Sequence, residues 1–590
     1  MSNVQDIVSA IWYRHISWER EEVLYSFPTP DEVSYYITTT QNPWLPRLAQ
    51  QILVKKPVLY GRAKELEQLV QAFQNPFQKN ILLVGENGVG KSVLIYEAVR
   101  VLQEQNLLPE IWETTAARLI KELIQKTGWQ DNIVFLCNEL VQKKAILYVR
   151  NLMELFEVGQ YEGNEVSLGL YLRSVLSQGE IALVAECTED ELAQIELKNS
   201  NYTTLFQIIR LNPPTDELQM IILQKSKDLA NNKQISISED AIKEIIRLNK
   251  RYTPYSGFPG KPIRFLENII SDAPKNTAIL KSSIVRRFCE ETGMPLAMVD
   301  ETIPMDVAKV KAFFNINIFG QPQAVEGVVD ILASVKAALM RKEKPIASFL
   351  FVGPTGVGKT ELAKVLAEFM FGNRERMVRF DMSEYADDYS VARLIGTSVG
   401  SDGVLTSAIR REPFCVLLFD EIEKASSKFF DLLLPILGEG RLSDSNGKTV
   451  NFCATIIIMT SNIGVGSSSV IGLGEASHQS KSAQYLTAVQ QYFRPELFNR
   501  FDEVIPFEAL SKEVVRSVVN REIEQLKRRE GVATRSMHLE ITPAVLDYLA
   551  EKGYSIKYGA RHLQRAIREE LSIPLATKLN LEDYDDRLEV

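Results

Sequence analysis

The sequence has few of the residues that build metal centres and disulfide frameworks. Its 590 residues include five cysteines and four histidines, all widely spaced. Neither a zinc site nor a disulfide framework is expected, and the thiols are expected to be buried and reduced. No apolar run reaches the roughly 20 residues that cross a bilayer, and residues 1–6 do not resemble a signal peptide. These absences favour a cytoplasmic protein without a membrane segment.

A surplus of basic charge is also missing. Lysine and arginine together number 67, against 76 aspartates and glutamates, which gives a net charge of −9. Nucleic-acid binders neutralise phosphates with clustered lysines and arginines, so this balance argues against a nucleic-acid partner. Hydrophobic residues at 45% and charged residues at 24% are typical of globular domains, and the length suggests about four of them.

What the sequence does contain is one motif in two copies. Each copy follows a short apolar strand, 81–84 or 349–352, and matches the pattern G-x-x-x-x-G-K-[ST]. Two matches between a strand and an amphipathic helix predict two phosphate-binding P-loops. The first consists of Gly85, Glu86, Asn87, Gly88, Val89, Gly90, Lys91 and Ser92, and the second of Gly353, Pro354, Thr355, Gly356, Val357, Gly358, Lys359 and Thr360.

The motif has a physical basis. Its glycines let successive backbone N–H groups turn towards a phosphate, and the N-terminus of the following helix adds positive partial charge. Lys91 or Lys359 would reach the β- and γ-phosphates of a nucleotide, and Ser92 or Thr360 would hold Mg²⁺. The motif therefore predicts a nucleotide with Mg²⁺ as the ligand.

Hydrolysis needs acidic groups besides the phosphate cradle. The apolar strand 416–419 ends in Asp420 and Glu421, at the sheet edge where a Walker B pair is expected. Asp420 would hold the Mg²⁺ shell, and Glu421 would orient the attacking water. A second apolar strand, 455–459, leads to Asn462, which is placed to contact the γ-phosphate or the water.

From Ile318 to Lys578, the chain resembles the C-terminal ATPase module of the Clp family of AAA+ unfoldases and disaggregases. The resemblance implies an α/β fold of two tandem AAA+ modules, each with a parallel-sheet P-loop domain and a small α-helical lid. It also implies a chaperone ATPase. Besides the P-loop, the motifs that carry it are Ile318-Phe319-Gly320-Gln321, Asp381-Met382-Ser383-Glu384-Tyr385, Phe419-Asp420-Glu421-Ile422-Glu423-Lys424-Ala425, Gly440-Arg441-Leu442-Ser443-Asp444, Met459-Thr460-Ser461-Asn462, Phe493-Arg494-Pro495-Glu496-Leu497-Phe498-Asn499-Arg500 and Tyr558-Gly559-Ala560-Arg561.

The resemblance also implies roles and partners. Arg500 is similar to the arginine finger that is donated in trans to the nucleotide of the neighbouring subunit. Arg561 is similar to the sensor 2 arginine that contacts the γ-phosphate in cis. Cations at these places favour phosphoryl transfer because negative charge develops on the phosphate. A trans finger implies self-assembly into a ring, typically a hexamer in this family, and the family acts on a protein substrate or protein complex.

The same resemblance divides the chain into domains. Residues 1–50 are an aromatic-rich segment that either binds an adaptor or packs on the first module. Residues 51–212 form the first large α/β domain, and 213–300 form its helical lid and a linker. Residues 301–508 form the second large α/β domain, and 509–590 form its C-terminal lid.

The first module departs from the family pattern. Its Walker B strand, 145–149, is followed by Arg150 and Asn151 where the family has Asp-Glu. Arg150 puts a cation where Mg²⁺ needs an anion, and Asn151 cannot act as a base. Thr188 is a candidate sensor 1 residue, and the expected finger segment, 203–207, contains no arginine. We expect the first site to bind nucleotide without hydrolysing it efficiently.

The substrate-handling loops also differ from the family. The loop after Leu394-Ile395-Gly396 is shorter than in the family and has no aromatic residue, which removes the side chain that grips polypeptide. Trp129 either grips substrate from the first module or packs as an ordinary loop tryptophan. The tripeptide Ile471-Gly472-Leu473 is similar to the one with which some Clp unfoldases dock on a ClpP-like peptidase.

These observations leave more than one function open. The main interpretation is a ring-forming ATPase that remodels proteins and hydrolyses ATP mainly in its second module. One alternative is an unfoldase that feeds a ClpP-like peptidase. Another is an ATP-gated scaffold or assembly switch, for instance in a secretion, defence or transposition system, with little or no threading.

Overall fold

The chain divides into two compact units. The first unit comprises the chain up to Gln234 together with Ser256–Asp272, and the second comprises Ile235–Tyr255 together with the chain from Ala273 onwards. The aromatic-rich segment up to residue 42, the loop centre 398–400, the tripeptide Ile471-Gly472-Leu473, and the C-terminus from residue 581 lie outside the described residues. The computed structural model describes residues 43–54, 59–75, 79–105, 110–123, 129–160, 166–231, 233–255, 257–339, 343–397, 401–465, 478–533, 539–554 and 559–580.

A six-stranded sheet forms the centre of the first unit. Its strands are β1 (Gln50–Gln51), β2 (Ile81–Val84), β3 (Ile111–Thr114), β4 (Ile146–Val149), β5 (Ala182–Cys187) and β6 (Gln207–Arg210). Their order is β1-β3-β4-β5-β2-β6, and only β1 runs antiparallel to its neighbour. The four residues of β2 are all buried, as expected for a parallel strand covered on both faces. Alternate side chains enter two apolar clusters, one with Leu82 and the other with Leu83.

Helices cover the first sheet and continue beyond it. In the first half of the chain they are α1 (Trp44–Leu48), α2 (Ala63–Phe73), α3 (Lys91–Glu104), α4 (Ala116–Leu123), α5 (Trp129–Lys143), α6 (Glu154–Glu157), α7 (Leu168–Ser177), α8 (Glu189–Lys198), α9 (Leu218–Asn231), α10 (Glu239–Tyr252), α11 (Gly260–Asp272), α12 (Lys281–Thr292), α13 (Leu296–Val299) and α14 (Val307–Asn317). Trp44 stacks on Phe135 with ring centroids 6.2 Å apart, so the end of the aromatic-rich segment packs on the first module. Helices α9 and α11 belong to the first unit, whereas α10, α12, α13 and α14 belong to the second.

A five-stranded, fully parallel sheet forms the centre of the second unit. The strands of this unit are β7 (Ser236–Ile237), β8 (Ala278–Ile279), β9 (Ala347–Val352), β10 (Met377–Asp381), β11 (Val416–Asp420), β12 (Arg441–Ser443), β13 (Thr449–Asn451), β14 (Ile456–Ser461) and β15 (Glu503–Pro506). The main sheet has the order β10-β11-β14-β9-β15, while β12 with β13 and β7 with β8 form separate two-stranded ladders. Every residue of β9, β11 and β14 is buried.

The second unit ends in a helical lid. The remaining helices are α15 (Pro322–Lys336), α16 (Lys359–Phe371), α17 (Asp388–Ile395), α18 (Val404–Arg411), α19 (Ser427–Glu439), α20 (His478–Tyr492), α21 (Pro495–Phe498), α22 (Lys512–Lys527), α23 (Glu530–Ala533), α24 (Pro543–Gly553), α25 (Leu563–Ile567) and α26 (Ile573–Leu579). Helices α22, α24 and α25 pack on one another after the last strand of the sheet. Short 3-10 turns lie at Thr203–Leu205, Arg374–Arg376, Met382–Tyr385 and Ile422–Lys424, and a π turn lies at Arg568–Ser572.

The predicted fold class is confirmed, because each unit contains a mainly parallel α/β sheet with a P-loop. The five cysteines, all within the described residues, are free thiols, and four of them are buried while Cys289 is half-buried. Among the described helices, none is both long and apolar enough to span a membrane.

The hypothesis that Trp129 grips substrate is wrong. Its side chain is 2% exposed, and its Nε1 donates a hydrogen bond to the Gly159 carbonyl at 2.8 Å. Its ring meets Tyr171 edge-on with centroids 5.5 Å apart. Trp129 begins α5 and fills the core of the first unit, which is the alternative interpretation of this residue.

Candidate functional site

The second P-loop lies between β9 and α16. Gly356 and Gly358 have φ angles of 75° and 108°, which glycine adopts without steric cost. A cavity of about 360 Å³ opens beside the loop. The predicted site residues that line it are Thr355, Gly356, Val357, Gly358, Lys359, Thr360, Asp420, Glu421, Asn462 and Arg561.

The ammonium group of Lys359 is buried among oxygen atoms. It donates hydrogen bonds to the carbonyls of Gly353 and Pro354, the second at 3.1 Å, and to Oδ1 of Asn462 at 2.8 Å. Burial lowers the pKa of Lys359 to about 8, while nearby carboxylates act in the opposite direction. A phosphate would give this ammonium a stronger partner than neutral carbonyls do, because donor and acceptor would then carry opposite charges.

The two acids of the second module leave the sheet edge next to the P-loop. Asp420 is 8% exposed and accepts a hydrogen bond from the hydroxyl of Thr460, which itself accepts from the Glu421 N–H at 3.0 Å. Arg379 of β10 reaches Asp420 at 2.7 Å. Glu421 has a φ of 58°, which is uncommon for a residue other than glycine, and its carboxylate pairs with Lys424.

Glu423 is a site residue to which the sequence reasoning gave no role. Its carboxylate accepts hydrogen bonds from the Ser461 hydroxyl at 2.9 Å and from the Asn462 N–H at 3.2 Å. These bonds hold the turn after β14, from which Asn462 reaches Lys359. Glu423 belongs to the Walker B segment, but its hydrogen-bond partners lie at and just after the end of another strand, 38 and 39 residues later. A short sequence motif therefore could not indicate these contacts.

The helical lid contacts the second P-loop through its backbone. The Ala560 N–H donates to the Gly356 carbonyl at 3.1 Å. Gly559 has a φ of +58°, and a Cβ there would lie 2.5 Å from the Thr355 carbonyl oxygen, so this close approach requires glycine. Arg561 follows directly, and the structure brings it to the same cavity as the P-loop lysine.

Part of the cavity is apolar, and some of its residues were missed by sequence reasoning. Ile318, Phe319, Leu510 and Val518 line this part, together with Arg521 of α22. The Arg521 guanidinium lies 5.8 Å from the centre of the Phe319 ring. An apolar recess with a flat cation fits an aromatic base. No motif marks Val518 or Arg521, because both stand in an ordinary amphipathic lid helix.

Arg500 does not line this cavity. It follows α21, donates to the Leu434 carbonyl at 2.5 Å and pairs with Glu496 at 3.1 Å. A Cβ on Gly438 would lie 1.9 Å from its guanidinium, so the arginine lies against α19. Within the chain, Arg500 is thus separate from the other predicted catalytic residues.

The first P-loop repeats the backbone arrangement of the second. The Gly85 N–H donates to the Cys187 carbonyl at 3.1 Å, as the Gly353 N–H does to the Ser461 carbonyl at 3.1 Å. Lys91 is 6% exposed and donates to the Gly85 carbonyl at 2.6 Å. Burial lowers the pKa of Lys91. A phosphate cradle is therefore present in both units.

The charges beside the two cradles are exchanged. Aligning the sheets by their strand pairing puts Arg150 at the position of Asp420, and Glu113 at that of Arg379. Arg150 and Glu113 form a salt bridge. The Tyr96 hydroxyl donates a hydrogen bond to the Glu113 carboxylate at 3.0 Å and accepts one from the Arg150 guanidinium at 3.0 Å. The first site thus has the ion pair of the second with the signs reversed.

A buried carboxylate does lie beside the first P-loop, but on another strand. Glu186 of β5 is 5% exposed and stands at the register of Thr460. It accepts a hydrogen bond from the Tyr148 hydroxyl. Burial raises the pKa of Glu186, and its hydrogen bond with Tyr148 opposes that rise. Sequence reasoning missed it because no Walker motif places an acid on this strand.

Asn151 and Thr188 have structural partners at the start of α8. Asn151 donates to Glu191 at 3.0 Å and accepts from the Met153 N–H at 2.9 Å. The Thr188 hydroxyl accepts from the Glu191 N–H at 3.2 Å and caps the helix. Both side chains therefore hold the local backbone and the helix start.

The contact between lid and P-loop is repeated in the first unit. The Gly260 N–H donates to the Gly88 carbonyl at 2.9 Å, which is the counterpart of the lid contact in the second unit. Lys261 therefore takes the position of Arg561. Sequence reasoning missed Lys261 as a candidate contact for phosphate. The pair Gly260-Lys261 at the start of a lid helix could have indicated it.

The residues fit a magnesium nucleotide rather than a metal held by the protein alone. In the part of the chain that the structure describes, no group of three or more His, Cys, Asp or Glu side chains could hold a metal ion. Mg²⁺ is usually bound by one or two carboxylates combined with phosphate oxygens and water. Thr360 and Asp420 both line the cavity and would supply such a partial set.

Two family models match the second half of the chain. The model described as AAA domain (Cdc48 subfamily) matches residues 344–504, and the model of the C-terminal D2-small domain of ClpB protein matches residues 510–590. With the P-loop and the acids at the sheet edge, these matches define an AAA+ ATPase.

Similar proteins cover both halves of the chain. The ATP-dependent Clp protease ATP-binding subunit ClpE of Bacillus subtilis is 30% identical in an alignment that covers 87% of this chain and 82% of ClpE. The chaperone protein ClpB of Oceanobacillus iheyensis is 29% identical over 92% of this chain and 77% of ClpB. The S. cerevisiae Hsp104-ADP complex has a TM-score of 0.71 and 26% identity, covering 91% of this chain and 96% of that one. The chain belongs to the Clp family.

Proposed function

We propose that this ATPase assembles into a ring, hydrolyses ATP in its second module and uses the cycle to remodel a protein or protein complex. The observation that supports this proposal is the meeting of Lys359, Asp420, Glu421, Asn462 and Arg561 around one cavity. The similar proteins are a chaperone and a Clp protease subunit, which supports a protein as the substrate.

Each side chain has its own task in this proposal. Lys359 and the loop N–H groups bind the β- and γ-phosphates, and Thr360 and Asp420 hold Mg²⁺, which supplies positive charge at the phosphates when bound. Glu421 leaves its partner Lys424 and orients the attacking water as the general base. Asn462 positions the same water or the γ-phosphate.

Arg500 acts on the neighbouring subunit. Phosphoryl transfer gains from a cation at the developing charge, and within its own subunit Arg500 contacts Leu434 and Glu496 instead of the cavity. A ring, which in this family is typically a hexamer, would bring the arginine of one subunit to the nucleotide of the next.

The first module binds nucleotide without efficient turnover. Lys91 and its loop form a cradle, but Asn151 cannot accept a proton and Arg150 is paired with Glu113. Bound nucleotide there would stabilise the ring through the lid contact between Gly260 and the P-loop.

A second candidate function is an ATP-gated assembly switch with little threading, and the shortened loop after α17 favours it. The Ser445 hydroxyl donates to the Ser401 carbonyl at 3.1 Å, and the Ser445 N–H donates to the Ile395 carbonyl at 2.8 Å. A Cβ on Gly403 would lie 2.4 Å from the Leu394 carbonyl oxygen. The ends of this loop are tied down and carry no aromatic side chain that could pull a polypeptide.

Docking on a ClpP-like peptidase is a separate hypothesis, based on Ile471-Gly472-Leu473. Co-sedimentation with such a peptidase tests it, with an Ile471→Ser/Leu473→Ser double variant as the comparison. Equal sedimentation of both proteins would contradict docking through this tripeptide.

ATP turnover of matched variants tests where hydrolysis occurs. Glu421→Gln should lower turnover by about 100-fold or more because it removes the general base, and Lys359→Ala should do the same because it removes the phosphate contact. Asn151→Gln, at the position of Glu421 in the first module, should leave turnover nearly unchanged. Lys91→Ala should lower it far less than Lys359→Ala and act through assembly. Equal losses in the two lysine variants, with assembly unchanged, would contradict the proposal.

A further inference from the structure

The acid that the first P-loop lacks at Arg150 stands one strand away. We propose that Glu186 supplies the carboxylate for the Mg²⁺ of a nucleotide bound at the first P-loop, which is the task assigned to Asp420 in the second module. This inference rests on the proposed binding of nucleotide by the first module, and it names the residue that Mg²⁺ would use there.

The position of Glu186 supports this assignment. Glu186 lies on β5, the strand that pairs with the P-loop strand β2 and whose Cys187 accepts the Gly85 N–H at 3.1 Å. Glu186 is 5% exposed and stands at the register of Thr460, a residue that lines the nucleotide cavity of the second module. With Ser92, the P-loop hydroxyl expected to hold Mg²⁺, Glu186 gives the first site a hydroxyl and a carboxylate, the two kinds of group that Thr360 and Asp420 would supply in the second module.

In both modules an acid on one of two neighbouring strands accepts a hydrogen bond from a hydroxyl on the other, but the strands that carry the acid and the hydroxyl are exchanged. In the second module the acid, Asp420, is on β11 and the hydroxyl of Thr460 is on β14. In the first module the hydroxyl of Tyr148 is on β4 and the acid, Glu186, is on β5. In both cases the hydroxyl donates to the carboxylate and fixes its orientation. A carboxylate has about four acceptor sites, so this bond leaves acceptors for the shell of the ion.

The surrounding charges are compatible with a cation near Glu186. Arg150 is engaged with Glu113 and with Tyr96, and Glu113 offsets its charge. Lys91 is close enough for Glu186 to act on its pKa, as Asp420 acts on the P-loop lysine of the second module. The first site therefore keeps a lysine, a hydroxyl and an acid at one cradle.

The inference is tested by measuring nucleotide binding to the full-length Lys359→Ala variant. This substitution disables the second P-loop, so the remaining binding reports on the first. A fluorescent ATP analogue is titrated with Mg²⁺ and again with EDTA. We expect tighter binding with Mg²⁺, and Glu186→Gln should lower the affinity with Mg²⁺ by about 10-fold, the usual scale for a lost metal-site carboxylate partner. The affinity in EDTA should stay the same or rise. Glutamine still accepts from Tyr148, and circular dichroism checks the fold.

Two further variants serve as controls. Glu189→Gln removes one negative charge from an exposed acid that pairs with Arg210, and it should keep the preference for Mg²⁺. The triple variant Glu113→Arg/Arg150→Asp/Glu186→Thr introduces the arrangement of the second module, and it should regain the preference that Glu186→Gln loses. This variant also keeps the inference testable if Glu186→Gln does not fold.

The outcomes separate this inference from the proposed function. Loss of the Mg²⁺ preference in Glu186→Gln but not in Glu189→Gln supports it. Binding that depends on Lys91 but shows the same Mg²⁺ preference in Glu186→Gln overturns the inference and leaves nucleotide binding by the first module intact. If the Lys359→Ala protein binds no nucleotide at all, both the role of Glu186 and the proposed nucleotide binding by the first module are wrong.

Discussion

The two P-loop sites hold their lysines in the same way but surround them with opposite charges. Lys91 and Lys359 both donate to the carbonyl of the first loop glycine, and in both units a lid N–H donates to the fourth residue of the loop. Two strands away from each P-loop strand, Asp420 pairs with Arg379 in the second unit, whereas Arg150 pairs with Glu113 in the first.

This difference supports the proposal that phosphate binding and hydrolysis depend on separate parts of the sheet edge. The cradle depends on backbone N–H groups and one lysine, and it is present in both units although the charges two strands away differ. Hydrolysis needs an acid pair on the Walker B strand and a finger from outside. The first unit keeps the cradle and has Arg150 and Asn151 at the positions of the acid pair.

The largest effect is expected at the arginine finger. Arg500→Ala should lower ATP turnover by about 1000-fold, the lower end of the contribution of an arginine finger. Arg494→Ala, which removes a neighbouring arginine paired with Asp431, is the matched control and should change turnover little. Turnover is measured at saturating ATP.

Mixing subunits tests whether the finger acts in trans. An Arg500→Ala subunit keeps Lys359, and a Lys359→Ala subunit keeps Arg500, so a mixed ring contains some complete sites. The mixture should turn over more ATP than either variant alone. A mixture that stays as inactive as its parts would show that Arg500 acts within its own subunit or only on folding.

An intermediate effect is expected where the lids contact the loops. Gly559→Ala places a Cβ 2.5 Å from the Thr355 carbonyl oxygen at a positive φ, and the conformational cost of about 1–2 kcal/mol should weaken nucleotide binding in the second site roughly tenfold. Gly260→Ala places a Cβ 2.7 Å from the Gly88 carbonyl oxygen and should weaken binding in the first site. Nucleotide titrations of both variants measure this. If both weakened the same site, the two lids would not be equivalent.

The smallest effect is expected at the reversed ion pair. Arg150 is 57% exposed, and exposed pairs contribute less than about 1 kcal/mol to stability. Arg150→Ala should therefore change the free energy of unfolding by less than that amount, as measured by urea titration, and it should not create turnover in a Lys359→Ala protein. A loss of several kcal/mol would mean that the pair is needed to hold the first sheet together.

Sequence reasoning was most successful where the information is local. The P-loops, their strands and their helices follow from a few consecutive residues, and so does the replacement at Arg150. The partner of Arg150 could not be read in this way, because Glu113 stands 37 residues away and only the strand register brings it close. Glu186 was missed for the same reason, since an acid on β5 has no fixed spacing from the P-loop.

Isolated aromatic residues were the least informative. Trp129 occurs near the place expected for a pore loop, and only its burial in the core shows that it has a packing role. Arg521 stands in an ordinary helix, and its place in the cavity depends on how the lid packs. Such contacts depend on the tertiary structure and cannot be derived from a residue type and its neighbours.

The reversed pair of Arg150 and Glu113 also bears on the evolutionary path of this chain. Changing Arg150 to an acid alone would place two negative charges side by side, and changing Glu113 to a base alone would place two positive ones together. Like charges at this distance repel each other, so either single step is unfavourable before it is useful. An acid at position 150 would therefore need a compensating substitution at Glu113 on the neighbouring strand, which hinders the stepwise gain of a second acidic site.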